Sequence, residues 1–251
     1  MESFFRSALT LFTITSLTLA FGAPIILCAS VGYRDFALTL IRIWSLAFIK
    51  SFGVKLTKVG VEKAKGLGSC VIMSSHRSHL DGPILLCTLP FHFTFVIKRS
   101  LAQVPVWGWA VTRAGYIAID RKDHQDSVQG MKKAEQLVRQ GLRVLTFPEG
   151  TRSPDGQFKP FKKGGFVLAI QAQVPILPVA VVGSYELLPK GALRAKPGNV
   201  VVVVGDPVDT KGLTYEDRVA LMEKVEAIIK ELYATGERIL EDIKRGRPQN
   251  P

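Results

Sequence analysis

Little in this chain suggests a metal site, a redox centre or a nucleic-acid binder. The sequence contains three cysteines, Cys28, Cys70 and Cys87, and they have neither metal-binding nor redox spacing. Two of them lie in apolar runs, so we interpret the three as small core residues in a reduced compartment. Aromatic residues make up only 9% of the chain, and no predicted helix combines a basic stripe with base-stacking partners, which argues against nucleic acid as a partner.

Acidic residues are scarce relative to basic ones. Lys and Arg number 33 against 21 Asp and Glu, which gives a formal net charge of +12. A surface of that charge favours anionic partners such as nucleic acid, an anionic lipid surface or an acidic carrier protein. The apolar beginning of the chain favours lipid among these.

Charged residues are missing altogether between Arg6 and Arg34. This stretch is long enough to cross a hydrocarbon layer of about 30 Å, but a Gly-Ala-Pro sequence at residues 22–24 interrupts it. A kinked spanning helix and a re-entrant hairpin in one leaflet both fit this pattern, and a cleaved signal peptide is a third interpretation. The next segment, Phe36 to Phe52, has the composition of an interfacial amphipathic helix.

The chain therefore divides into three predicted parts. Residues 1–52 form membrane-associating hydrophobic and amphipathic helices, residues 53–244 form the folded domain, and residues 245–251 form a tail expected to be disordered. Nearly all Lys and Arg residues follow the apolar segment. This distribution predicts that the folded domain lies on the cytoplasmic face of a membrane, the inner or cell membrane if the protein is bacterial.

From residue 54 onward, short apolar runs alternate with helix-like stretches. The runs predicted as strands are Lys55–Val59, Cys70–Ser74, Thr94–Ile97, Tyr116–Ile119, Arg143–Phe147, Ile176–Val182 and Val200–Val204. The spacing of apolar residues predicts a helix over Ser127–Gln140 and another that starts at Thr214. This alternation predicts an α/β fold in which helices cover a mixed sheet.

One polar stretch, Ser74 to Pro83, follows a short apolar run that reads as a buried strand. It contains His76 and Asp81, and a histidine paired with a carboxylate can act as a general base. On a regular helix these two residues would lie about 140° apart, so the chain must turn between them for the pair to form. Two alternatives stay open: Ser78 and Asp81 have capping-box spacing, and His76 with His79 could begin a metal site, although no Cys or Glu cluster lies nearby to complete it.

Three further blocks follow along the chain. They are Gly-Tyr-Ile-Ala-Ile-Asp-Arg at residues 115–121, Phe-Pro-Glu-Gly-Thr-Arg-Ser at 147–153 and Val-Pro-Ile-Leu-Pro-Val at 174–179. Together with the His-x4-Asp stretch, these blocks resemble the 1-acylglycerol-3-phosphate acyltransferases, a family of glycerolipid acyltransferases. The resemblance covers roughly residues 54–206 and implies that residues 53–244 are an acyltransferase domain with that family's α/β fold.

The resemblance implies that His76 deprotonates the acceptor hydroxyl and that Asp81 orients the imidazole. The alkoxide would then attack a thioester directly, which fits a chain without a Gly-x-Ser-x-Gly elbow or a paired cysteine as nucleophile. We expect His79 to be a spectator. The family commonly has Asn where this chain has Ser75, and the form His-Arg-Ser-His-Leu-Asp also looks like glycerol-3-phosphate acyltransferases.

The resemblance also implies a site for the phosphate of the acceptor, made of Arg121, Glu149, Gly150, Thr151 and Arg152. Guanidinium groups grip phosphate oxygens in pairs, and backbone N–H groups near a glycine can point at an anion. Because a carboxylate repels phosphate, we expect Glu149 to position an arginine or the turn. Supporting contacts to the headgroup, to a carrier's phosphopantetheine or to the membrane could come from Lys159, Lys162 and Lys163. The block at 174–179 has no reactive group and is expected to be a buried strand, although the family associates it with the acyl chain.

We therefore expect an enzyme that moves a fatty acyl group from acyl-CoA or acyl-carrier protein to 1-acylglycerol 3-phosphate and so forms phosphatidate. The expected partners are membrane lipid, this acceptor and the acyl donor, with no metal and no organic cofactor. Glycerol 3-phosphate, another lysophospholipid or a lyso-aminolipid are alternative acceptors. An alternative of another class is a non-catalytic, basic, membrane lipid-binding protein.

Overall fold

The computed structural model describes residues 2–120, 122–192 and 195–247, with side chains described from residue 12 onward. The helices are α1 (Glu2–Ser30), α2 (Arg34–Ser51), α3 (Asp81–Thr88), α4 (Arg99–Ala102), α5 (Trp107–Arg113), α6 (His124–Arg139), α7 (Gly164–Ala172), α8 (Ser184–Leu187) and α9 (Arg218–Lys244). The strands are β1 (Val54–Val59), β2 (Val71–Ser74), β3 (Thr94–Lys98), β4 (Ile117–Ile119), β5 (Val144–Thr146), β6 (Ile176–Val182) and β7 (Gly198–Val204). Short 3-10 turns cover Val61–Ala64 and Tyr215–Asp217.

The strands form one mixed sheet in the order β1-β7-β6-β2-β5-β3-β4. Strands β6, β2, β5, β3 and β4 run parallel to one another, whereas β7 pairs antiparallel with β6 and parallel with β1. In the centre of the sheet, Val71 of β2 lies between Val144 of β5 and Ile176 of β6. This mixed sheet with covering helices confirms the predicted α/β fold.

Each of the seven predicted strands is present, with ends that differ by at most two residues, and Ile176–Val182 matches at both ends. The largest shortening is at the run Arg143–Phe147, of which only Val144–Thr146 is strand. Phe147 leaves the sheet because its ring stacks against His76, with 3.8 Å between the ring centroids. At the other extreme, β7 starts two residues early because Gly198 is already paired with Val54 of β1.

Helices cover both faces of the sheet, which explains why the central strands are almost continuously apolar. On one face, Ile72, Leu145 and Leu177 pack in a core that includes residues of α2, α3 and α5. On the other face, alternate residues such as Val71 and Val144 pack with α6, α7 and α9. The block at 174–179 enters β6, which is buried along its whole length, as the sequence predicted.

Helices α1 and α2 pack against each other and are joined by a short turn at residues 31–33. Helix α1 continues through Pro24 as a single helix, so the interruption expected at residues 22–24 does not end it. One inward face of α1, including Phe21 and Ile25, packs against α2 and α5. Close packing at Gly22, where a Cβ atom would lie 2.1 Å from a methyl carbon of Val106, fixes the helix there.

The opposite face of α1 is exposed and apolar, with Phe12, Leu19 and Leu27 each more than half exposed. Within the segment Phe12–Ser30, a window of 18 residues has a mean hydropathy of 1.9, and only 11% of that window is buried. By length and composition this segment is one helix that could cross a membrane. Helix α2 matches the predicted segment Phe36 to Phe52 closely, with Ile41 and Phe48 buried while Phe36 and Ile43 are exposed.

At the end of the chain, the predicted helix start at Thr214 is confirmed. Thr214 and Asp217 form a capping box before α9. Residues 245–247 close the end of α9 with backbone hydrogen bonds, and residues 248–251 of the predicted disordered tail lie outside the described residues. The division at residues 52 and 244 stays a prediction about domains.

Candidate active site

The order of the strands brings together residues that are far apart in the sequence. Strand β2 lies between β5 and β6, and all three run in the same direction. Their carboxyl ends therefore meet at one edge of the sheet, which is where α/β proteins place their ligands. His76 follows β2, the segment from Phe147 to Glu149 follows β5, and Ser184 follows β6.

His76 and Asp81 form the pair that their spacing suggested. Nδ1 of His76 lies 3.0 Å from Oδ2 of Asp81. The same carboxylate oxygen accepts the backbone N–H groups of Arg77, at 2.7 Å, and Ser78, at 2.8 Å. The residues between the pair form a turn rather than a regular helix, so the chain bends as the pair requires. Asp81 is fully buried, and its carboxylate is fixed by these donors.

Asp81 forms the dyad and makes one of the two contacts of a capping box, although the residue that precedes α3 is Leu80, which makes no side-chain cap. Asp81 is the first residue of α3, and the Ser78 N–H that it accepts is the contact a capping box would make. The hydroxyl of Ser78 accepts the N–H of Leu80 at 3.1 Å and donates to the carbonyl of Leu188 at 2.8 Å. This capping-box contact therefore helps to hold the carboxylate in place beside His76.

Ser184 is a member of the site that the sequence did not reveal. Its buried hydroxyl donates to Oδ1 of Asp81 at 2.5 Å, so both carboxylate oxygens have partners. Ser184 follows Gly183, whose φ of 91° is the left-handed conformation and where a Cβ atom would lie 2.6 Å from the Asn199 carbonyl. The one available signal was its position directly after the predicted strand Ile176–Val182.

Ser75, which stands where the family commonly has Asn, forms a hydrogen bond to strand β6. Its buried hydroxyl oxygen accepts the backbone N–H of Val181 at 3.1 Å. Because β6 carries that N–H, the contact ties the loop before His76 to the neighbouring strand. The serine thus supports the position of the loop rather than contributing a group beside the imidazole.

Glu149 connects the histidine to the segment after β5. One carboxylate oxygen accepts the N–H of His76 at 2.9 Å and the other accepts the N–H of Lys159 at 3.0 Å. The residue is only 2% exposed, and burial raises its pKa although both N–H donors act in the opposite direction. Its described hydrogen bonds go to the backbone of two loops, so the side chain positions those loops against each other.

The segment that follows β5 also holds His76, by a ring contact to the imidazole and by a backbone hydrogen bond. The Phe147 ring stacks on the imidazole at an interplanar angle of 12°, and the Ser153 N–H donates to the His76 carbonyl at 3.0 Å. Gly150 turns the chain between these two residues with a φ of 72°. A Cβ atom at this position would meet only the flexible end of the Lys162 side chain, so it is the positive φ that favours glycine here.

The residues predicted to bind phosphate lie in this same segment, except that Arg121 lies outside the described residues. Arg152 is partly buried, burial lowers its pKa, and its Nη1 is a buried atom without a hydrogen-bond partner in the described part of the chain. Thr151 is half-buried beside it. Of the three lysines, Lys162 packs over Gly150, Lys163 is exposed, and Lys159 contributes its backbone N–H to Glu149.

His79 lies at the surface near Arg152 and does not bond to Asp81 in the described contacts. Loss of hydration of its ring, together with the nearby charge of Arg152, lowers the pKa of His79 to about 4. The side chain is therefore neutral at physiological pH. Within residues 2–120, 122–192 and 195–247, no group of three or more His, Cys, Asp or Glu could hold a metal ion.

The chain is similar to known proteins both at the level of a sequence family and at the level of individual relatives. A family model described as Acyltransferase matches residues 55–182. The chain is 33% identical over 189 residues to the chloroplastic 1-acyl-sn-glycerol-3-phosphate acyltransferase BAT2 of Brassica napus, covering 74% of this chain and 54% of that protein. It is 35% identical over 199 residues to the human 1-acyl-sn-glycerol-3-phosphate acyltransferase alpha, covering 79% of this chain and 70% of the human one.

A solved structure gives the same result for the whole chain. The crystal structure of the 1-acyl-sn-glycerophosphate (LPA) acyltransferase PlsC from Thermotoga maritima superposes with a TM-score of 0.80 at 26% identity, and each chain is covered completely. The family resemblance inferred from the four sequence blocks is thereby confirmed. The chain belongs to the acyltransferase family, and the relatives described here are 1-acylglycerol-3-phosphate acyltransferases.

Proposed function

We propose that this protein transfers a fatty acyl group from a thioester, acyl-CoA or acyl-carrier protein, to the free hydroxyl of 1-acylglycerol 3-phosphate and so forms phosphatidate. The observation that carries the proposal is the contact of 3.0 Å between His76 Nδ1 and Asp81 Oδ2. It places a carboxylate-oriented imidazole at the carboxyl edge of the sheet, in a chain whose relatives are named for this reaction.

In the proposed reaction, His76 acts as general base through Nε2 because Nδ1 faces Asp81. The imidazole takes the proton of the acceptor hydroxyl while the hydroxyl oxygen attacks the thioester carbonyl carbon. The tetrahedral intermediate then collapses, the carbon–sulfur bond breaks, and the imidazolium returns the proton to the leaving thiolate. The buried carboxylate of Asp81 stabilises the imidazolium that forms between these steps. No acyl-enzyme and no cofactor are needed.

The phosphate of the acceptor would be bound by the segment after β5. Arg152 offers a buried guanidinium nitrogen that has no partner in the described chain, and Arg121, Gly150 and Thr151 complete the proposed set. Guanidinium groups bind phosphate in bidentate fashion. Because Glu149 joins the His76 N–H to the Lys159 N–H, the phosphate-binding segment and the base would keep a constant separation. Lys159, Lys162 and Lys163 would add positive charge near this segment.

The acceptor and the product are lipids, so we propose that the protein works at a membrane. Exposed apolar side chains on α1 and α2, such as Leu19 and Phe36, would enter the lipid. The net charge of +12 favours an anionic surface. The concentration of Lys and Arg after the apolar segment favours the cytoplasmic face for the catalytic domain, the inner or cell membrane if the protein is bacterial.

Glycerol 3-phosphate is a second candidate acceptor, favoured by the His-Arg-Ser-His-Leu-Asp form of the stretch from His76 to Asp81. The test is mass-spectrometric detection of products from purified protein given an acyl-CoA and a mixture of lysophosphatidate, glycerol 3-phosphate and neutral or amino-containing lysolipids. Phosphatidate as the product supports the proposal. Acylation of another acceptor reassigns the substrate, and no product with either acyl-CoA or acyl-carrier protein favours a lipid-binding protein without catalysis.

A further inference from the structure

Arg77, the residue between His76 and Ser78, has a fully buried side chain although it carries a full positive charge. It is 2% exposed and is among the largest fully buried side chains of the described chain. Lys and Arg are almost never buried to this extent unless they are paired with an acid. Across the described residues, Arg77 has no ion pair, and its Nε and Nη1 atoms have no hydrogen-bond partner. The carboxylates of Glu149 and Asp155 interact with this charge electrostatically but form no direct ion pair with it, so its close side-chain contacts come from other groups.

The guanidinium group of Arg77 packs against two aromatic rings. The guanidinium carbon of Arg77 lies 4.2 Å from the centroid of the Phe158 ring and 4.3 Å from that of the Tyr233 ring. The two rings meet at 77° with 5.3 Å between their centroids. Phe158 and Tyr233 therefore form an aromatic corner, and the guanidinium group lies over both ring faces. The negative faces of aromatic rings attract a cation, and arginine stacks on them better than lysine.

A closed circuit of contacts connects this aromatic corner to the His76–Asp81 dyad. The residue after Phe158 is Lys159, whose N–H donates to Glu149, and the other oxygen of Glu149 accepts the N–H of His76. The backbone N–H of Arg77 itself donates to Asp81. The circuit thus runs from the Arg77 side chain through the Phe158 loop and Glu149 back to His76, the neighbour of Arg77.

Tyr233 attaches this circuit to the scaffold. It lies in α9, a helix of 27 residues that packs on β6 and β7. The loop from His76 to Ser78 is thereby fixed on one side by the Asp81 carboxylate and on the other by a long helix. An apolar side chain of similar length would fill the space without this electrostatic attraction, and buried charges are often replaced by apolar residues without loss of stability.

We propose that Arg77 is a positioning residue for the acyl transfer, which sets the orientation of the His76–Asp81 pair through the corner formed by Phe158 and Tyr233. This inference rests on the function proposed above. It requires that loss of the cation–ring contact lowers turnover even when the protein stays folded. A role in filling the core alone would instead change the thermal stability and leave turnover unaltered.

The test compares Arg77→Lys, Arg77→Met and wild type, with His76→Ala as reference, in steady-state assays of phosphatidate formation. Misplacement of catalytic groups by a fraction of an ångström costs one to two orders of magnitude, so we expect Arg77→Met to lose about tenfold to a hundredfold in kcat. Its KM should stay within about twofold, because the phosphate site is not altered. Arg77→Lys, which keeps the cation, should recover part of the loss.

A second pair of variants leaves the catalytic loop untouched. Tyr233→Phe keeps the ring face and should retain turnover within about twofold, whereas Tyr233→Leu removes the ring and should lose about tenfold in kcat. This pair decides the question if Arg77→Met does not fold. Full turnover by folded Arg77→Met or Tyr233→Leu, beside an inactive His76→Ala, overturns the role of Arg77 and leaves the proposed function intact. An inactive wild type overturns both.

Discussion

The loop from Ser75 to Asp81 and the helical pair α1–α2 differ in the kind of side chain that they bury and expose. In the loop, polar groups are buried and almost every one has a named partner: the Asp81 carboxylate receives His76, Arg77, Ser78 and Ser184. In the helical pair, large apolar side chains such as Phe12 and Leu27 are exposed. A buried polar group without a partner is costly, and an exposed apolar stripe is equally unfavourable in water. Most polar groups of the loop are satisfied within the protein, whereas the apolar face of the helical pair is the surface for which lipid contact is proposed.

The largest expected effect comes from removing the charge at the centre of the loop. Asp81→Asn keeps the shape of the side chain, but it cannot stabilise an imidazolium, and its NH2 group would face N–H donors. We expect turnover to fall by about 10²- to 10⁴-fold in an assay of phosphatidate formation. Asp206→Asn, which breaks an exposed ion pair with Lys63, is the matched control and should act like wild type. Equal activity of both variants would contradict the role of Asp81.

A smaller effect should distinguish two buried serines, of which one bonds to the loop from α8 and the other lies in the helical pair. Ser184 donates to the Asp81 carboxylate, whereas Ser45, on α2, donates to the Ile41 carbonyl. A hydrogen bond to a charged group contributes about 1.5–3 kcal/mol, so Ser184→Ala should lose about ten- to a hundredfold in kcat. Ser45→Ala should change only the melting temperature. Equal kcat values for the two variants would contradict a role of Ser184 in turnover.

Substitutions on the exposed face of the helical pair should change membrane binding rather than turnover. Replacing Leu19 and Leu27 by Ser removes exposed apolar surface from α1, which should weaken binding to anionic vesicles by about tenfold or more. The melting temperature, and turnover of detergent-dispersed substrate, should stay near those of wild type. Ile25→Ser is the control on the inward face, where the side chain is 4% exposed. It should lower the melting temperature, and unchanged vesicle binding by the double variant would refute lipid contact by this face.

The effect that is smallest at neutral pH concerns stability, and it develops only under alkaline conditions. Burial raises the pKa of the Cys70 thiol from 9.0 to about 12. Above pH 9 the thiol ionises in the unfolded chain but not in the folded one, so stability should fall progressively as the pH rises from 9 to about 12. Denaturant unfolding at several pH values measures this slope. Cys70→Ala should make it shallower, and an identical slope in that variant would show that Cys70 does not contribute.

The sequence was sufficient for the strands and for the dyad, since both are local. Strand positions follow from short apolar runs, and His76 and Asp81 lie five residues apart within one turn. Ser184 could not be found in this way, because 103 residues separate it from Asp81 and only the pairing of β2 with β6 brings them together. Glu149 was expected at the site from the family resemblance, but its contact with the His76 N–H depends on the pairing of β5 with β2.

Helix α1 concerns a point that the local sequence left open, namely whether the segment at residues 22–24 ends the helix. Proline removes a backbone donor and usually breaks a helix, so the segment at 22–24 suggested an interruption. The helix nevertheless continues through Pro24. Gly22 packs without space against Val106, and the inward residues of α1 line the contact with α5. Tertiary contacts of this kind are not visible in a pattern of hydropathy.

The measurement that tests the central proposal most directly is a single-turnover assay of wild type beside His76→Ala. Both proteins would receive an acyl-CoA and lysophosphatidate, with circular dichroism to confirm that each is folded. A general base contributes about 10²- to 10⁴-fold, so wild type should form phosphatidate and folded His76→Ala should be slower by that factor. His79→Gln should remain close to wild type. Phosphatidate formed by folded His76→Ala at the wild-type rate would contradict the assignment of His76 as the base.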